Sequence, residues 1–123
     1  MNRALSLWIP VVIYMAAIFW ASSLQVLPGA VSGYPDWLLH SACYAGLAVV
    51  ALRATAGGRW RGVTILALIA AWIICAAYGA SDEFHQSFVP GRMVEFRDWR
   101  NDVTGAALGL GAAWAWGKMR RVL

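Results

Sequence analysis

Four long apolar runs dominate the chain: Leu5–Ala21, Trp37–Leu52, Val63–Gly79 and Val103–Gly117, each of 15–17 residues. An α-helix rises about 1.5 Å per residue, so each run plus a turn of flanking residues crosses a hydrocarbon core of roughly 30 Å. None alternates with period two, which argues against the strands of a closed barrel. The rest of the chain agrees. Of its 123 residues 61% are hydrophobic and 13% charged, whereas a soluble domain is nearer half apolar and a quarter charged. A globule this small has too little interior to hide the excess. The expectation is an all-α, integral membrane bundle of four transmembrane helices, one domain over residues 1–123. The first run reads as a retained helix rather than a cleaved leader, being long for that role and followed by a poor small-residue site around Pro28–Ala30.

Charge placement sets an orientation. The net charge is +4, but the cations sit at the ends of the apolar runs rather than in a stripe among exposed aromatics, which argues against a nucleic-acid partner. With four spans, Arg3, Arg53, Arg59, Arg61, Lys118, Arg120 and Arg121 share one side, and Arg92, Arg97 and Arg100 the other. The positive-inside rule then puts both termini in the cytoplasm of a multi-pass inner or plasma membrane protein. Trp20, Trp37 and Trp99 mark the outer boundary, and Trp60, Trp114 and Trp116 the inner one. Cys43 and Cys75 lie within apolar runs, form no CxxC pair and read as small buried hydrophobes.

The acids carry the functional signal. Asp36, Asp82, Glu83, Glu95, Asp98 and Asp102 all fall on the outer side, as do both histidines, His40 and His85. Acidic residues contribute little to topology, so orientation does not require this segregation. His40 and Tyr44 are four apart and share a helical face. Asp82, His85 and Gln86 follow the third run at spacings of three and four, with Glu83 beside them; Asp98, Asn101 and Asp102 repeat that spacing at the fourth. Ionisable groups at membrane depth face a bundle interior or a wet cavity. One outward-opening polar pocket is therefore expected. Asp98 or Asn101 would alternatively cap the fourth helix. Glu95, Arg97 and Arg100 read as solvated surface, and Arg92, after a Pro90-Gly91 turn, suits either a salt bridge or an anion. Gly105-x-x-x-Gly109 permits close helix packing, within the bundle or in a homodimer.

His40-x-x-x-Tyr44-x-x-Leu47-Ala48, the block from Ala77-Tyr78-Gly79 through Ser81-Asp82-Glu83-Phe84-His85-Gln86 to Val89-Pro90-Gly91-Arg92, and Asp98-x-x-x-Asp102-x-x-Gly105-x-x-x-Gly109 resemble the VanZ-like family. The resemblance runs from about Trp37 to Gly117, the first helix matching in character only. It implies a small multi-helix membrane protein of the cell envelope. The family's founding member is tied to resistance to the antibiotic teicoplanin, a glycopeptide bearing a lipid. It brings no established catalytic residues.

Two functions compete. One is an enzyme at the outer leaflet: His40 or His85 transfers a proton, oriented by Asp82 or Asp102 with Glu83 nearby, while Tyr44, Gln86, Arg92, Asp98 and Asn101 bind a lipid-linked envelope precursor. No cofactor is required, although His40, His85 and two acids would suit a divalent metal. The other is a non-catalytic binder of membrane lipid, an amphiphilic drug or a partner protein. A transporter ranks lower, since the inner half of the bundle has no acid or histidine.

Overall fold

A computed structural model describes residues 1–24 and 29–120. Four long helices account for most of it: α1 (Arg3–Ser22), α3 (Asp36–Thr55), α4 (Ile65–Gln86) and α5 (Phe96–Met119), with α2 (Gly29–Ser32) a single turn in the connection from α1 to α3. Among the described residues there is no strand. α1, α3 and α4 are each long and apolar enough to cross a membrane. Expectations about Pro28 and Arg121 lie outside the described residues.

The helices outrun the apolar segments at the ends that matter. α4 continues through Asp82-Glu83-Phe84-His85-Gln86, so that block is helical rather than a loop beyond the helix. α5 begins seven residues before Val103. Glu95 occupies its N-cap position without a side-chain cap bond, and Asp98 lies in its first turn. Neither Asp98 nor Asn101 is therefore the cap. The extra turns keep the backbone of these polar segments hydrogen-bonded while their side chains turn into the bundle interior.

Local chemistry explains the turns. At the end of α3, Gly58 N–H bonds the Arg53 carbonyl (2.8 Å) and Gly57 N–H that of Ala54 (3.1 Å). That is a Schellman closure, with Gly57 left-handed at φ 67°. A 3-10 turn, Trp60–Gly62, leads into α4, whose first turn is capped by the Thr64 side chain accepting from Ala67 N–H. On the opposite end, Val89-Pro90-Gly91-Arg92 closes as a type II β-turn, with Arg92 N–H on the Val89 carbonyl and φ 80° at Gly91.

α3 is the hub, packing on α1, α4 and α5. Its Tyr44, Leu47, Ala48, Ala51 and Leu52 are buried at helical spacing, against Val11 of α1, Ala71 and Cys75 of α4 and Ala106 of α5. Small residues set the α3–α5 distance. A Cβ on Gly105 would lie 2.2 Å from the Ser41 carbonyl oxygen, and one on Gly109 2.6 Å from that of Ala45. The close approach of the Gly105/Gly109 motif is thus used inside the chain, and both glycines are buried.

Side-chain donors also tie helix to helix. Tyr14 Oη donates to the Cys43 carbonyl (2.7 Å), Tyr78 Oη to that of Met15, Trp99 Nε1 to that of Ala76 (2.9 Å) and Trp72 Nε1 to that of Val103 (3.2 Å). Trp72 needs such a partner in the middle of its span. Outward, Val12, Ile13, Leu66, Ile69, Ile73 and Leu108 are exposed. An apolar skin over a tight, small-residue interior is what a lipid solvent selects.

Candidate functional site

Three helical stripes converge at the acidic end of the bundle. On α3, Asp36, His40 and Tyr44 follow one another at intervals of four. The buried face of α4 runs Cys75, Gly79, Asp82, Glu83, Gln86, and that of α5 runs Asp102, Gly105, Ala106, Gly109, with Asp98 one turn above Asp102. Intervals of three and four keep each stripe on one face. Because the same faces bury Leu47, Ala71 and Ala106 lower down, packing the apolar half forces the polar half together above it.

The central contact is between His40 and Asp102, whose Nδ1 and Oδ1 are 2.7 Å apart. Asp102 is fully buried and His40 retains slight exposure. Around them, Asp82, Glu83 and Asp102 each offer a carboxylate oxygen, all within 4.8 Å of one another, and the same holds for ligand atoms of His40, Glu83 and Asp98. Glu83 therefore joins both groups. Five buried oxygens have no hydrogen-bond partner among the described residues: Tyr44 Oη, Asp82 Oδ1, both Glu83 carboxylate oxygens and Asp102 Oδ2. Buried polar atoms are normally satisfied, so five together set this cluster apart from the rest of the interior.

Above this floor opens a cavity of about 380 Å³. His40, Tyr44, Asp82 and Gln86 line its depth, Asp36, Asp98, Arg92 and Glu95 its polar walls, and Ile18, Leu39 and Met93 its apolar ones. Arg92 makes no ion pair among the described residues, while Arg97 pairs with Glu95 at the surface (2.9 Å). The Pro90-Gly91 turn delivers an uncommitted guanidinium to the mouth of an otherwise acidic cavity. Phe84, Phe88, Val94 and Phe96 are exposed on the helix ends and the loop at that level.

Not every residue expected at the site is there. His85 is one residue from Gln86, about 100° around the helix, and turns toward α1: its Nδ1 is 3.0 Å from Ser22 Oγ and its ring stacks on Phe19 with centroids 4.1 Å apart. It is not among the lining residues and makes no direct hydrogen bond to Asp82 or Asp102, although Ser22, which it contacts, lines the cavity. Asn101 stands one residue off the inward stripe of α5, and its backbone carbonyl accepts from Ser41 Oγ (3.4 Å). His40 and Tyr44 share a face as expected but do not bond each other. The sequence alone puts Asp36 with the other acids without assigning it to the pocket, and it gives no sign of Ser22 and Cys43, which also line the cavity, or of Gly79. A Cβ on Gly79 would meet Asp102 Oδ2 at 3.2 Å. Extending the four-residue interval one turn upward from His40 would have found Asp36.

The fold and site define a polytopic helical membrane protein with a histidine–carboxylate cluster under a polar cavity. No curated protein and no solved structure matches the chain. A family model does: VanZ/LLP1 matches residues 5–117. The chain belongs to the VanZ/LLP1 family, and the match takes in the first helix as well as the motif-bearing part.

Proposed function

We propose that this cavity faces the outside of the cytoplasmic membrane, binds the anionic headgroup of an amphiphilic envelope molecule, and moves a proton at His40. The observation that carries the reading is the 2.7 Å contact of His40 Nδ1 with buried Asp102, at a residue that also lines the cavity. A carboxylate on Nδ1 fixes the ring and its tautomer and leaves Nε2 for proton exchange, the division of labour in carboxylate-oriented histidine bases. Arg92 then holds a phosphate or carboxylate by a two-pronged contact, and Asp98, Gln86 and Tyr44 orient the neighbouring polar groups. The exposed Phe84, Phe88 and Phe96 keep the cavity mouth at the lipid surface, where a molecule with an acyl or prenyl tail arrives.

Orientation rests on the charge count. Arg3, Arg53, Arg59, Arg61 and Lys118 lie at the end opposite the cavity, and the cation-poor end is the outer one. α5 is taken as a fourth span: its 24 residues are about 36 Å long, with Leu108 and Trp114 exposed. Four spans put both termini in the cytoplasm. The family's tie to teicoplanin, a lipid-bearing glycopeptide, fits a site for amphiphiles without making resistance this chain's own role. Passage through the bundle fits poorly, because below Tyr44 the interior is Leu47, Ala48, Ala51 and Leu52.

The test uses purified protein in nanodiscs, incubated with lipid-linked envelope precursors and followed by mass spectrometry. Retention of the precursor and a covalently altered product, both lost in His40→Ala, are expected. Retention without alteration reduces the role to binding, and no retention refutes the proposal.

A further inference from the structure

Beneath the cavity, we infer that Asp82, Glu83 and Asp102 form a binding site for one hard divalent cation, of the Mg²⁺, Mn²⁺ or Ca²⁺ class. Two independent observations meet there. The first is spacing: one oxygen from each carboxylate lies within 4.8 Å of the other two. Oxygens on opposite sides of an ion are twice the metal–oxygen distance apart, about 4.1 Å for Mg²⁺ and about 4.6–5.2 Å for Ca²⁺, and adjacent ones are nearer. The three side chains therefore reach one ion with little movement. The second is the lack of any other partner. Asp82, Glu83 and Asp102 are all more than nine-tenths buried, and Asp82 Oδ1, both Glu83 oxygens and Asp102 Oδ2 have no hydrogen-bond donor among the described residues.

Charge points the same way. Buried carboxylates ionise together only beside compensating positive charge, and a divalent cation next to His40 would supply it. No Arg or Lys ion pair reaches these acids among the described residues. An all-oxygen anionic donor set selects hard cations over thiolate-seeking ones. The division of Asp102 is also that of a ligand held from behind: Oδ1 takes the His40 imidazole, fixing the carboxylate, while Oδ2 remains for the ion. Asp82 belongs to both the ion group and the cavity lining, which gives the ion its entry path. Gly79 keeps α4 close to this carboxylate, since a Cβ there would press on Asp102 Oδ2. Headgroup binding and proton transfer are not premises of this site. An ion held here would brace α4 against α5 even in a protein that turns nothing over.

Mn²⁺ serves as the probe, added to full-length, chelator-stripped protein in detergent. Electron paramagnetic resonance should count one tightly bound Mn²⁺ per chain, displaced by excess Mg²⁺ or Ca²⁺, with a rise in melting temperature on binding. Asp82→Asn and Glu83→Gln should each lower the affinity at least tenfold and abolish the rise, while Arg100→Gln, which alters an exposed residue outside the cavity lining, leaves both unchanged. Absence of stoichiometric binding by the wild type would overturn the site, as would affinities unaltered by Asp82→Asn and Glu83→Gln. If those variants do not fold, anomalous density from Mn²⁺ in wild-type crystals decides: density among the three carboxylates supports the site, and density elsewhere alone refutes it. Loss of the ion with headgroup retention intact would refute this site and leave the proposed function standing.

Discussion

His40 of α3 and Asp102 of α5, 62 residues apart in sequence, meet at 2.7 Å and lock the two most intimately packed helices together at the acidic end of the bundle. The contact is possible only because Gly105 and Gly109, one and two turns below Asp102, bring the α5 backbone onto Ser41 and Ala45. Structure and chemistry are thus linked: the small residues that let the helices touch also set the imidazole–carboxylate distance.

Removing one member of that pair strands the other. Asp102 is wholly buried, so His40→Ala leaves a carboxylate without the one side chain that hydrogen-bonds it among the described residues and should cost about 3–5 kcal/mol. The double variant His40→Ala/Asp102→Asn should be less destabilised than the sum of the singles, because the coupling is counted once. Denaturant titration in mild detergent measures both.

The glycine stripe predicts a position-specific pattern. Gly105→Ala and Gly109→Ala place a methyl group on a facing backbone, which cannot swing aside as a side chain can, and should each cost about 1–3 kcal/mol. Gly111→Ala meets nothing within 4 Å and should be neutral or slightly stabilising. Melting temperatures of the three variants rank them.

Arg92 should matter for binding and hardly for stability. It lines the cavity and holds no ion pair among the described residues. Arg92→Ala should weaken retention of phosphate-bearing lipids at least tenfold and leave the melting temperature within a degree or two. Arg92→Lys should restore only part, since an ammonium cannot make the guanidinium's paired contact. Lipid retention by native mass spectrometry tests this.

His85 should behave as a structural residue. Losing its bond to Ser22 and its stack on Phe19 should cost about 1–2 kcal/mol. Headgroup retention by folded His85→Ala should stay within about threefold of wild type, while His40→Ala loses turnover. The two histidine variants compared in one assay separate the roles.

Much of this arrangement is legible in the chain. Apolar run length marks the three helices that are apolar enough to span, and the fourth as a helix. The interval of four from His40 to Tyr44 and from Asp98 to Asp102 puts those residues on common faces, and Pro90-Gly91 forms the turn expected. The misplacements share one cause. Spacings of three and four within one polar cluster fix the inward face only when they are continued into the apolar half of the same helix. Extending Cys75, Gly79, Asp82, Glu83, Gln86 as one stripe sets His85 aside, and extending Gly109, Gly105, Asp102, Asp98 does the same for Asn101. Apolar character alone marks too early an end for α4, because buried polar residues continue it by seven positions beyond Gly79. That His40 chooses Asp102 over Tyr44 depends on the α3–α5 separation, which no single-helix pattern contains.

The central claim is an acid-lined cavity open to the outside of the cell, and cysteine labelling in intact cells tests it most directly. In a chain carrying Cys43→Ala and Cys75→Ala, a membrane-impermeant maleimide should modify Asp36→Cys and Asp98→Cys before lysis, and Arg59→Cys and Lys118→Cys only after it. Labelling of Arg59→Cys and Lys118→Cys in intact cells, with Asp36→Cys and Asp98→Cys protected until lysis, would contradict the account.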